Sequence, residues 1–145
     1  MIDVNRIMTD SARGKAVLED LEKFQADRAA QLKVLNDEIV EMQNRFQEGR
    51  LSLAEDKLAE LQAQIEDRGR AFTRAQEDAN RELQNRRDED IKAVEDQVFP
   101  VINAVGQEFG YTMIFNKFQS GLVYASEVVD ITDLVIQRLD SQSDG

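Results

Sequence analysis

The chain has 145 residues, is 32% charged and 41% hydrophobic, and carries a net charge of −11. It contains no Cys and no His, which excludes disulfides, thiol nucleophiles, zinc sites and imidazole acid–base chemistry. So acidic a surface is a poor electrostatic match for nucleic acid, and no apolar run approaches the roughly 18 residues that a membrane span needs.

The chain opens with Ile2-Asp3-Val4, an alternating stretch that predicts a short strand. Asn5 to Ser11 reads as a helical turn, and Ser11 offers an N-cap for a longer helix. Gly14 weakens the first turn of that helix.

From Arg13 to Val98 the sequence predicts a long helical hairpin. In the first arm Leu18, Leu21, Gln25, Arg28, Leu32, Leu35, Ile39, Met42 and Phe46 step by threes and fours. In the second arm the series is Leu58, Leu61, Ile65, Arg68, Phe72, Ala75 and Ala79. This is the seam of an antiparallel coiled coil with charge nearly everywhere else. Each arm of about 35 residues would rise roughly 50 Å. The tip falls near residues 47–52, where Gly49 suits a left-handed position and Ser52 with Glu55 matches a capping box. Phe46 and Phe72 fall on the seam. Phe24 stands one position off it, where a wide seam explains it better than a cargo contact does, and Leu51 and Leu53 sit at the tip; these three are the candidate cargo contacts.

A denser apolar stripe follows, ending in Val94, Val98, Ile102 and Val105, and Pro100 is expected to break or kink this helix after Phe99. Gly110 ends the next helical stretch. The period then changes to two. Tyr111 to Phe118 reads as a strand, Gln119-Ser120-Gly121 as a hairpin loop and Leu122 to Ala125 as the return strand. Asp130 or Thr132 caps a last amphipathic helix, and Ser141 to Gly145 reads as a frayed tail. Three short strands from one chain make a marginal sheet with open edges, which predicts pairing with other copies. The fold class expected is therefore mainly α with a small β body. Residues 1–12 and 99–145 would form that body, and residues 13–98 the arm. Ile2, Val4, Val98, Met113, Ile114, Phe115 and Val123 are the candidate assembly residues.

Chemistry-bearing motifs are scarce. There is no Gly-rich phosphate loop and no Ser nucleophile motif, so an enzyme reading has little to stand on. Asp88-Glu89-Asp90 could face a hard cation, but neighbouring helix positions point apart and a solvated face explains them better. Helix capping explains Asp130-Ile131-Thr132-Asp133 better than a metal loop does. Surface ion pairing accounts for Arg86, Arg87 and Lys92. No catalytic residue, metal site or cofactor is expected.

The chain's ends carry a resemblance. Ile2-Asp3-Val4-Asn5-Arg6-Ile7, a long charged coiled coil, Phe109-Gly110-Tyr111-Thr112-Met113-Ile114-Phe115, Gly121-Leu122-Val123-Tyr124-Ala125 and Val129 to Val135, in that order, resemble the Skp/OmpH family of periplasmic chaperones. The resemblance implies a homotrimer with a β-barrel body and three helical arms around a cavity. It implies an ATP-independent holdase for unfolded outer-membrane β-barrel proteins, located in the periplasm. It also implies that this chain starts inside the family's leading strand, without a signal peptide. One departure is plain. The family's best-known member has positively charged arms, whereas residues 50–98 here hold nine basic and thirteen acidic residues. That charge argues against membrane or lipopolysaccharide contact. The alternative reading is a structural or tethering coiled coil that binds one specific folded partner.

Overall fold

The computed structural model describes residues 1–117 and 121–143. Its helices are α1 (Val4–Asp10), α2 (Ala12–Gly49), α3 (Glu55–Phe109) and α4 (Thr132–Ser143), with a 3-10 turn at Glu127–Val129 before the last. The chain divides into two compact units, one of residues 1–21 with 86–145 and the other of residues 22–85.

The first unit holds the core. In α3, Val94, Val98, Val101 and Val105 recur at fours and threes, so they share one helical stripe, and all four are buried. They cluster with Ile2, Ile7, Val17, Val135 and Leu139. Each such side chain taken out of water contributes about 1.5–3 kcal/mol.

Short-range polar bonds set the helix ends here. Asp3 caps α1 by accepting from the Arg6 N–H at 3.2 Å. Ser11 serves two helices. Its N–H donates to the Ile7 carbonyl at 3.2 Å, closing α1, and its Oγ accepts from the Gly14 N–H at 3.0 Å, opening α2. Gly14 itself is required by close approach, because a Cβ there would lie 2.0 Å from the Met8 carbonyl oxygen. Chain-distant bonds then fasten α4. Thr132 Oγ1 accepts from the Asp3 N–H at 2.9 Å, Asp140 Oδ1 from the Ala12 N–H at 2.9 Å, and Arg138 donates to both Glu108 oxygens at 2.8 and 2.9 Å.

The expected β-barrel body is overturned. Among the described residues there is no strand and no sheet, only an isolated parallel bridge between Ile2 and Asn116. Ile2 donates to the Phe115 carbonyl at 2.9 Å and accepts from the Lys117 N–H at 2.8 Å. The physical reason lies in what surrounds this bridge. After Ile2, Asp3 turns its N–H to Thr132 Oγ1 and caps α1, and Val4 is already helical, so the ladder does not extend. Tyr111–Lys117 and Leu122–Ala125 have strand-like composition, yet no ladder joins them among the described residues. β-propensity reflects fit to a pleated surface rather than an intrinsic backbone state, and no such surface is supplied here. Phe118, Gln119 and Ser120, at the end of the expected strand and in its loop, lie outside the described residues.

Three smaller expectations change as well. Helix α3 runs through Pro100 rather than ending at Phe99. A proline inside a helix costs about 3 kcal/mol. Here Val98 and Val101 are buried on either side of it, and their packing offsets that cost. Gly49 is the last residue of α2 and not a left-handed one, since positive φ occurs at Gly110 and Gly121 among the described residues. Helix α3 starts at Glu55, two residues beyond where a Ser52 cap would place it. Gly110, with φ of 68°, does end α3, and the Tyr111 N–H donates back to the Gly106 carbonyl at 2.9 Å.

Candidate functional site

The unit of residues 22–85 is a helical hairpin made from the later part of α2, the tip and the earlier part of α3. Two cross-arm ion pairs fix its sense. Arg28 Nη2 meets Glu82 Oε2 at 2.7 Å, and Arg68 Nη1 lies 3.7 Å from Glu38 Oε2. Partners fall on α3 as numbers rise on α2, so the arms are antiparallel.

On α2 the seam follows the heptad positions from Arg28 onward, whereas the expected seam residues Leu18, Gln25 and, on α3, Arg68 are exposed. Leu32, Leu35, Ile39, Met42 and Phe46 on α2 are half-buried, as are Leu58, Leu61, Ile65, Phe72, Ala75 and Ala79 on α3. Apart from Gly49, no residue of this unit is buried. The hairpin thus has one thin apolar stripe and no core of its own. Both seam arginines find a glutamate on the opposite arm, which is how a charge is accommodated at an apolar position. Arg28 also lies over the Phe24 ring, 4.9 Å from its centre, and Phe24 is half-buried.

At the tip Leu51 is fully exposed, and Leu53 folds back on Gly49. A Cβ at Gly49 would sit 2.4 Å from Leu53 Cδ1, so glycine makes room for that contact. Val34 and Val40 are further exposed apolar side chains on α2.

The candidate assembly residues divide between two cavities of the other unit. A groove of about 280 Å³ brings together Ile2, Val4, Val98 and Ile114, with Ile102 and the exposed Phe99. A second cavity of about 310 Å³ is lined by Met113, Ile114 and Phe115, with Met1, Tyr111 and Val128. Val123 lines neither and is 98% exposed. Sequence reasoning did not single out Phe99, Tyr124 or Val128, all exposed, or the stacked pair Phe109–Tyr111 with ring centres 6.0 Å apart. For Phe99 and Phe109 a signal was present: both are apolar residues of α3 that lie outside its buried Val94, Val98, Val101 and Val105 stripe.

The electrostatics of this unit are local. Thr9 Oγ1 donates to Asp10 Oδ1 at 2.8 Å, and with Arg6 holds the Asp10 carboxyl below its ordinary range. Burial alone would raise Asp130, but hydrogen bonds from the Thr132 hydroxyl and N–H outweigh it and keep that carboxyl low. Arg6, hydrogen-bonded to Asp133, is raised. Among the described residues no three carboxylates converge to hold a metal ion, and no helix is long and apolar enough to cross a membrane.

A family model described as "Outer membrane protein (OmpH-like)" matches residues 1–139. No curated protein matches the chain. Among solved structures, one similar in fold is the crystal structure of a protein assigned as an OmpH-like outer membrane chaperone from Caulobacter crescentus CB15. Its TM-score is 0.88 at 20% identity, covering 97% of this chain and 82% of that one.

Proposed function

Since the chain belongs to the OmpH-like outer membrane protein family, we propose that it is an ATP-independent holdase chaperone of the periplasm. Its clients are unfolded outer-membrane β-barrel proteins. The observation that carries this reading is the hairpin of residues 22–85, in which no side chain is buried and Val34, Val40, Leu51 and Leu53 stand exposed. Scattered apolar groups among mixed charges suit many weak, adaptable contacts, the kind that hold a chain without a fixed shape.

The second part of the reading is self-association. Tyr111, Met113, Phe115, Val123, Tyr124 and Val128 are exposed in one unit of a 145-residue chain. That much apolar surface is costly in water and favours assembly. A homotrimer is the form proposed, with residues 1–12 and 99–145 as its assembly region. Residues 13–98 serve as arms that bound a cavity, and they face cargo through the hairpin of residues 22–85, because Val17, Val94 and Val98 are buried in the core of the other unit. The role is binding rather than catalysis, and it uses no cofactor.

An aggregation assay tests this. A urea-unfolded outer-membrane β-barrel protein is diluted into buffer with and without the chain. Suppression of light scattering at stoichiometric chaperone supports the holdase reading. No suppression by a chain shown to be folded and oligomeric overturns it, and saturable binding to one folded protein would then favour a tethering coiled coil.

A further inference from the structure

The hairpin of residues 22–85 carries ten cations and fourteen carboxylates. Seven of the ten cations are engaged in ion pairs with the hairpin's own carboxylates. That leaves Lys23, Arg50 and Arg74, and Arg74 Nε turns onto the Arg70 carbonyl at 3.4 Å. The same seven pairs leave seven carboxylates outside them. One, Glu66, accepts from Gln62 Nε2 at 3.3 Å. The other six, Glu22, Asp27, Glu48, Glu55, Asp56 and Glu77, are exposed and have neither an ion-pair nor a hydrogen-bonding partner among the described residues. At contact range, then, an anionic ligand finds few uncommitted donors, whereas a cationic ligand finds many uncommitted acceptors.

Exposed apolar side chains lie within about two helical turns of several of these acids. Asp27 precedes Val34 by two helical turns on the same face of α2, and Val34 is 59% exposed. Glu48 and Glu55 flank the tip on which Leu51 is 100% exposed. We propose that the hairpin selects unfolded segments in which Lys or Arg alternate with apolar residues, and disfavours acidic ones. The proposal rests on the holdase reading and names its client class. The cation contacts a free carboxylate while its apolar neighbour covers an exposed Val or Leu. The chain has no His, so no side chain with an ordinary pKa near neutrality reverses this sign between pH 5 and 8.

The test uses the full chain and three fluorescent, unstructured polypeptides of equal length and equal apolar content. Their remaining positions are Lys, Ser or Glu. Anisotropy titrations at low and high salt give the affinities. The expected order is Lys, then Ser, then Glu, with Lys ahead of Glu by about tenfold or more at low salt, a gap that closes as salt screens it. Equal affinities, or tighter binding of the Glu polypeptide, overturn the charge selection while leaving the holdase reading intact. No binding of any of the three by the folded protein overturns both. A variant with Glu22→Gln, Asp27→Asn and Glu77→Gln changes only exposed positions. It is expected to keep its thermal melt and lose a large part of the Lys advantage. An undiminished advantage would overturn the assignment to these carboxylates.

Discussion

Arg28 and Glu82 meet across the hairpin, Nη2 to Oε2 at 2.7 Å, from seam and flank positions of opposite arms. The arginine spans two environments. Its guanidinium also covers Phe24, while its Nε is shielded from water without a hydrogen-bond partner. The side chains are 35% and 50% exposed, so water and salt screen the pair and its worth is that of a surface ion pair. A double-mutant cycle of Arg28→Met and Glu82→Gln, read by urea unfolding, is expected to give a coupling of about 0.5–1 kcal/mol. The coupling should vanish at about 1 M salt. A coupling of several kcal/mol that survives salt would mean that the pair behaves as a buried one.

Two glycines predict opposite outcomes from the same substitution. At Gly14 a Cβ would approach the Met8 carbonyl oxygen to 2.0 Å and its Cα to 2.8 Å. These are backbone atoms held by α1, so they cannot swing aside, and Gly14→Ala is expected to cost about 3 kcal/mol or more. At Gly69 a Cβ meets nothing within 4 Å, and the position is interior to α3. Gly69→Ala should therefore stabilise the chain by about 0.5–1 kcal/mol through helix propensity. Thermal melts of the two variants check both signs.

The hairpin was legible because its information is local and periodic. Leu32, Leu35, Ile39, Met42 and Phe46 repeat at threes and fours, and a period of that kind has one interpretation over so many turns. Ser11 was legible as a cap for the same reason: the bond it makes is to Gly14, three residues on. The β body was not. Tyr111 to Phe118 alternates like a strand, but a strand exists only where a partner lies alongside, and Ile2 alone takes that place here among the described residues. Pro100 misled because the helix is held by Val98 and Val101 on a buried stripe, a tertiary effect that outweighs a local rule. Which carboxylates stay unpaired was equally out of reach. Glu82 and Glu38 are engaged by arginines on the opposite arm, and only the register of the arms decides that.

Acid should act on the unit that contains Asp130 and Asp10. Both carboxyls are held below their ordinary values, Asp130 by the Thr132 hydroxyl and N–H against the opposing effect of burial, Asp10 chiefly by Thr9. A depressed folded-state pKa stabilises the fold above the unfolded value, near 3.9 for Asp, and that stabilisation is lost as pH falls through the folded value. Asp130→Asn should therefore lower the melting temperature at neutral pH. Its difference from the unmodified chain should stay flat from about pH 8 to 5 and shrink below about pH 4. A difference that is constant down to about pH 2 would remove Asp130 from this role.

Phe115 and Leu51 separate assembly from cargo. Phe115 is 45% exposed and lines the cavity with Met113 and Ile114, while its carbonyl accepts the Ile2 N–H at 2.9 Å. Its backbone is thus held within the unit and its ring is available to another copy. Leu51 is fully exposed at the tip and packs on nothing. Phe115→Ser is expected to lower the mass seen by light scattering towards that of one chain, with the helical signal retained, because the bridge uses backbone atoms that the substitution leaves in place. Leu51→Ser should leave the mass and the melt unchanged and weaken client binding by no more than about 1 kcal/mol, since one exposed leucine is a small share of many weak contacts. An unchanged mass for Phe115→Ser would move the assembly surface away from this cavity. Loss of nearly all client binding in Leu51→Ser would replace the distributed surface with a single anchor at the tip.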